Sequence, residues 1–103
     1  MVTSYDVSRD FGLLRPCEIR VLKQLLHRLP AGAVVVNIGA GSGTSALAFA
    51  EEGADITLYS VDISSGGPLG GFEGERNAFA RAGLLERLPL QILGDSAEIG
   101  RGW

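Results

Sequence analysis

The chain has 103 residues, 46% of them hydrophobic and 20% charged, which bounds it to one globular domain and excludes disorder by composition. Its formal net charge is −3 and its basic residues are scattered, so the clustered cations that nucleic acid or an anionic membrane surface would need are lacking. Cys17 stands alone, with no partner for an internal disulfide and no metal-ligand spacing around it. Tyr5, Asp6, Arg9 and Asp10 occupy the place where a signal peptide would be basic and then apolar, and no apolar run nears the roughly 20 residues that span a bilayer. A reducing, cytoplasmic setting is the expectation.

Residues 1–15 show no clear period and are read as an irregular lead-in, with residues 16–103 forming the folded unit. Pro16 suits the first turn of a helix, where its missing N–H costs nothing. Ile19, Leu22, Leu26 and Leu29 recur at helical spacing, Val21 and Leu25 widen the stripe, and Arg20, Lys23, Gln24 and His27 fall on the other side. His27, the only histidine, is read as a solvated surface imidazole. Pro30 and Gly32 stop the helix. Ala33 to Ile38 is a short apolar run read as a parallel strand buried on both faces. A glycine-rich turn follows, then a helix from Thr44 to Glu52. Ile56 to Val61 is a second strand with Asp62 at its carboxyl end. Ser64 to Gly74, rich in glycine and holding Pro68, is read as a loop, and Glu75 to Ala82 as a helix with Glu73, Glu75 and Arg76 at a solvated N-terminus. Leu84 to Leu88 is a connector, and Pro89 to Leu93 a third strand. The tail from Ala97 to Trp103 begins another helix that Gly100 and Gly102 weaken. Strand, helix, strand, helix, strand at this spacing is a βαβαβ unit.

Three features of this unit carry chemistry. The first is Asn37-Ile38-Gly39-Ala40-Gly41-Ser42-Gly43-Thr44, a glycine turn that leaves a strand and opens a helix. Such a turn lets a ligand approach the backbone, and the helix start favours a carboxylate or phosphate. The dinucleotide fingerprint wants glycine or alanine where this chain has Thr44, so the pattern is G-x-G-x-G instead. The second is Asp62, where a carboxylate can accept both hydroxyls of a ribose. The third is Gly94-Asp95-Ser96 after the third strand, where Asp95 is either a helix cap or a ligand contact, or both. In a parallel sheet all three fall on the carboxyl edge, where ligands bind.

These residues carry a family resemblance. The stretch VVVNIGAGSGTSALAFAEEGADITLYSVDIS (34–64), the later PLGGFEGERNAFARAGL (68–84) and QILGDSAEIGRGW (91–103) resemble a class I S-adenosylmethionine-dependent methyltransferase. The subgroup is the one that includes small-molecule O-methyltransferases and cephalosporin-hydroxylase-like proteins. The resemblance implies an α/β fold, a partial, truncated Rossmann-like three-layer sandwich. It also implies that Gly39, Gly41 and Gly43 line S-adenosylmethionine, that Asp62 holds the ribose hydroxyls, and that Asp95 with Ser96 lies near the adenine. Ala40, Thr44 and Ile63 complete the expected contact set with Asn37. Many members of the family carry an acidic residue at that last position. Asparagine keeps hydrogen bonding there but brings no charge toward the methionyl ammonium.

The family's sheet has seven strands, and this sequence supplies three. Right-handed crossovers in one direction put both connecting helices on one face. The apolar first strand then becomes an edge, so an exposed apolar surface that self-associates is the expectation. The leading functional expectation is S-adenosylmethionine binding, with methyl transfer to an unidentified small-molecule acceptor once the domain is completed. The alternatives are an NAD-binding module of an oxidoreductase and a non-catalytic fragment or interaction module. The residues identify neither a catalytic group nor a metal site.

Overall fold

The computed structural model describes residues 1–11, 13–66 and 71–103. The elements run α1 (Ser4–Phe11), α2 (Pro16–Leu26), β1 (Ala33–Ile38), α3 (Thr44–Glu51), β2 (Ile56–Asp62), α4 (Gly71–Ala82), a 3₁₀ turn at Leu85–Arg87, β3 (Leu90–Leu93) and α5 (Ser96–Arg101). The three strands are parallel in the order β1-β2-β3, with Ala33 opposite Ile56 and Tyr59 opposite Leu90. Each successive strand adds on the same side, so right-handed crossovers carry α3 and α4 to one face of the sheet.

The core lies between that face and the helices. Leu47, Phe79, Val7 and Leu58 are its largest members, with Ala46, Ala50, Ala78 and Ala82 between them. Small residues on α3 let neighbouring elements approach from several sides, and Ala46, Leu47 and Ala48 are all fully buried. On the opposite face α5 leads the chain back beneath the sheet. Trp103 meets Tyr59 edge-on with ring centroids 5.0 Å apart. An apolar groove of about 300 Å³ runs there between Val36, Ile38 and Val61 and the α5 residues Ile99 and Gly100. Among the described residues the layers are therefore four helices, a sheet, and one short helix.

Several expectations change. The lead-in is not irregular, because Ser4–Phe11 is helical. Asp6 accepts from the Thr3 N–H at 2.9 Å while the Asp6 N–H reaches Thr3 Oγ1 at 3.3 Å, a reciprocal cap. Glu51, from the end of α3, accepts from the Ser4 N–H at 2.8 Å and holds the helix start against the body of the fold. Val7, the apolar residue of this helix that is buried, is too few for a visible stripe, which is why periodicity missed it.

Helix α2 ends at Leu26, before Pro30, and its packed side differs from the predicted stripe. Ile19 and Leu26 are buried, but Val21, Leu25 and Leu29 are exposed. Lys23 lies on the packed side instead, with its ammonium 3.0 Å from Glu51 and 3.4 Å from Glu52. Burial alone would lower this ammonium's pKa, and the two carboxylates more than offset that and leave it raised. His27 is largely exposed, as expected, and meets Glu52 at 2.8 Å.

Strand β1 is not buried on both faces. Val35 is half-buried toward the helices, whereas Val34, Val36 and Ile38 are 57%, 40% and 69% exposed on the other side. The stretch read as a loop over Ser64–Gly74 is shorter, since α4 already begins at Gly71; its residues 67–70 lie outside the described residues, as does residue 12 of the lead-in. No helix among the described residues is long and apolar enough to cross a membrane.

Candidate functional site

The carboxyl ends of the strands form a cleft of about 250 Å³ lined by Ile38, Gly39, Val61, Asp62, Ile63, Gly94, Asp95 and Ser96. A parallel sheet puts such a crevice there because each strand hands its chain to a turn at that edge. The three predicted elements thus meet on one rim. Their backbones are tied across the strands: the Gly39 N–H donates to Val61 O at 2.7 Å, and the Gly94 N–H to Asp62 O at 2.9 Å.

The three glycines of the turn serve different ends. Gly39 has φ +84°, and a Cβ built on it would meet nothing within 4 Å, so the backbone is bare toward the cleft. At Gly43, φ is +90° and a Cβ would lie 2.8 Å from Glu75 Cα. The positive φ and the close approach of α4 each require glycine at that position. Gly41 lies beneath the Leu13 side chain. Ala40 and Thr44 are buried, with Thr44 Oγ1 3.1 Å from Ser42 Oγ. The cleft therefore gathers Gly39, Asp62, Ile63, Asp95 and Ser96 of the expected set. Asn37, Ala40, Gly41, Gly43 and Thr44 are not among its lining residues.

Asp62 has a structural task that its spacing did not reveal. Its Oδ2 accepts from the Ala40 N–H at 2.7 Å and its Oδ1 from the Ser64 N–H at 2.8 Å. One carboxylate clamps the glycine turn to the segment after β2. A carboxylate offers about four lone-pair sites, so two such bonds leave capacity toward the cleft. Asp95 caps α5, with Oδ1 accepting from the N–H of Ala97 at 2.8 Å and of Glu98 at 3.3 Å. Its other oxygen makes no hydrogen bond among the described residues. Asn37 Oδ1 accepts from Ser45 Oγ at 3.0 Å, and the buried Nδ2 has no partner among the described residues. Because a hydroxyl both donates and accepts, that amide can turn either end away from Ser45.

The residue that sequence reasoning misplaced is Glu75. It is not at a solvated helix start but fully buried, and Glu73 alone of the two acids is exposed. Its Oε2 accepts from Ser60 Oγ at 2.7 Å and its Oε1 from Gln91 Nε2 at 3.0 Å. Burial pushes the carboxyl above the usual glutamate range, with the nearby Asp62 charge adding to it against those two hydrogen bonds. The available signal was spacing: Phe72, Glu75 and Phe79 recur at helical intervals, which puts the acid on the apolar face. Among the described residues no group of three or more His, Cys, Asp or Glu could hold a metal ion.

Consecutive parallel strands with one-sided crossovers, a glycine turn and acids at the strand ends form a partial Rossmann-like fold, the fold that solved methyltransferases share. No protein-family model matches the sequence, and no curated protein sequence matches it significantly. Solved structures carry the likeness. A caffeoyl-CoA O-methyltransferase-like protein of Staphylococcus aureus superposes with TM-score 0.73 at 19% identity, over 98% of this chain and 48% of its own. The S-adenosylmethionine-dependent methyltransferase of Agrobacterium tumefaciens gives 0.69 at 16% identity, over 95% and 27%. That of Thiobacillus denitrificans, solved with S-adenosyl-L-homocysteine, gives 0.58 at 25% identity, over 94% and 38%. This chain therefore spans between 27% and 48% of the length of these structures.

Proposed function

We propose that this chain binds S-adenosylmethionine in the cleft at the carboxyl ends of its strands. We further propose that it is the cofactor-binding part of a methyltransferase-like protein acting on a small-molecule acceptor. The observation that carries the reading is the convergence of Gly39, Asp62, Asp95 and Ser96 on one cleft.

The donor set fits the molecule piece by piece. The bare backbone at Gly39 admits a bulky group against the turn. The unused lone pairs of Asp62 can accept ribose hydroxyl protons, and the turn it clamps is thereby held in place. Ile38 and Ile63 offer apolar walls for a flat base, with Asp95 and Ser96 at its polar edge. The Asn37 amide, with one buried end unpartnered, can receive a polar group or a water at the glycine turn. When bound, the cofactor supplies a sulfonium methyl group open to attack by an oxygen, nitrogen or carbon nucleophile. The chain's own residues would contribute binding and orientation, the main source of rate in such a transfer.

The neutral, short turn and Thr44 fit this cofactor better than a dinucleotide, whose pyrophosphate calls for the third fingerprint glycine. Calorimetry of the 103-residue chain with S-adenosylhomocysteine and with NAD tests the reading. Saturable binding of the first alone is expected. Asp62→Ala should weaken it by about tenfold or more, the cost of losing a hydrogen bond to a charged group. Tighter binding of NAD, or heat from neither at millimolar concentration, would overturn the proposal.

A further inference from the structure

One row of residues across the sheet departs from the apolar pattern around it. Asn37, Ser60 and Gln91 are register partners on β1, β2 and β3. In parallel strands such partners point to the same face, and here that face is the one under the helices. The row sits a short step before the cleft rim: Ser60 is two residues ahead of Asp62, and Asn37 two ahead of Gly39.

Glu75 reaches into this row from α4. Its two oxygens bond Ser60 and Gln91 separately, so one side chain spans β2 and β3. Its backbone meets the glycine turn at the same time. The space beside Gly43 is closed by Glu75 Cα, and a Cβ on Gly74 would come within 3.1 Å of Gly41 O. The three elements that carry the cleft residues are the glycine turn, the end of β2 and the end of β3. Glu75 meets the turn at Gly43, β2 at Ser60 and β3 at Gln91.

Burying a carboxyl is costly, and replacing a whole buried polar cluster by apolar groups of similar size is often neutral or stabilising. Stability is therefore a poor account of this residue. We propose that Glu75 is a positioning residue that sets the glycine turn, Asp62 and the β3 end in register around the cleft. The proposal builds on the cofactor reading given above, but its structural part can be measured without ligand.

The test compares Glu75→Leu with Glu75→Gln. Glutamine keeps both bonds, its oxygen accepting from Gln91 and its NH₂ donating to Ser60 Oγ. Leucine keeps the bulk and removes both. In the ligand-free protein, amide hydrogen exchange is read at Gly39, Ala40 and Gly94, whose N–H groups are bonded to Val61 O, Asp62 Oδ2 and Asp62 O. Glu75→Leu should speed exchange at these amides at least tenfold relative to the α3 amides, and Glu75→Gln should restore protection. Affinity for S-adenosylhomocysteine should fall at least tenfold in the leucine variant and recover in the glutamine variant. If Glu75→Leu does not fold, Ser60→Ala removes one of the two bonds and should move the same amides in the same direction. Unchanged protection in the folded variant overturns the positioning role even if cofactor binding is confirmed. Absent binding by the parent chain overturns the cofactor reading, while the exchange result still decides the role of Glu75.

Discussion

On the side of the sheet beneath α1 to α4, Leu58 packs with Phe79, Leu47 and Val7 in a continuous core. On the other side, Val34, Val36 and Ile38 of the neighbouring strand are largely exposed, and Tyr59 meets Trp103 at the end of the chain. The sheet's open side is the richer in β-branched and aromatic residues, with Val34, Val36, Ile38 and Tyr59, whereas its covered side carries Val35 and Leu58 beside the polar Asn37, Ser60 and Gln91. What separates them is where the crossovers run. Two successive right-handed connections load one face, and the single short α5 reaches only part of the other. Apolar character alone therefore does not mark the core of this fold; the handedness of the connections does.

The sharpest way to break this comparison is Phe79→Ala. Phe79 is fully buried at the centre of the covered face. Its loss should cost about 3–5 kcal/mol, measured by urea unfolding. That is a large share of the stability of any small domain, which runs to about 5–15 kcal/mol. A cost near zero would mean the covered face is not the core.

A second test uses the acid buried on the covered face. The raised Glu75 pKa means the folded chain holds that proton more tightly than the unfolded one. The stability this gives is fully present below the unfolded glutamate value, about 4.3, and is lost as pH rises through the higher folded value. Glu75→Gln cannot ionise. Its stability should therefore gain on the parent as pH rises across that window, then level off. Unfolding midpoints measured across pH check this, and a pH-independent difference would mean that the carboxyl is not desolvated in solution.

The smallest effect belongs to the open face. Val36→Thr changes a half-exposed methyl to a hydroxyl and should move stability by no more than about 0.5 kcal/mol. A loss comparable to a core substitution would show that something covers this face in solution.

Much of the placement of the candidate site could be read directly from the residues. The turn from Gly39 to Gly43, Asp62 at the end of β2 and Asp95 after β3 lie where their local pattern placed them. Each rests on a local cue: a strand-to-helix glycine cluster or an acid just beyond an apolar run. The α1 cap at Thr3 and Asp6 was equally local, but a helix with so little buried apolar surface offers no period to find it by. Lys23 was misassigned because its side of α2 is paired with acids from α3, a neighbour that periodicity cannot see.

By itself the sequence determined the order of the elements from α2 onward, the parallel βαβαβ plan and the identity of the residues at the strand ends. Hydrophobic period and glycine demand are properties of short segments, which is why they sufficed. Only the tertiary structure decided which face of β1 is open, that Gly43 serves helix packing, that Asp62 clamps the glycine turn, and that Glu75 is buried against Ser60 and Gln91. Those outcomes depend on how distant segments meet, and no local window of residues encodes the approach of α4 to the turn.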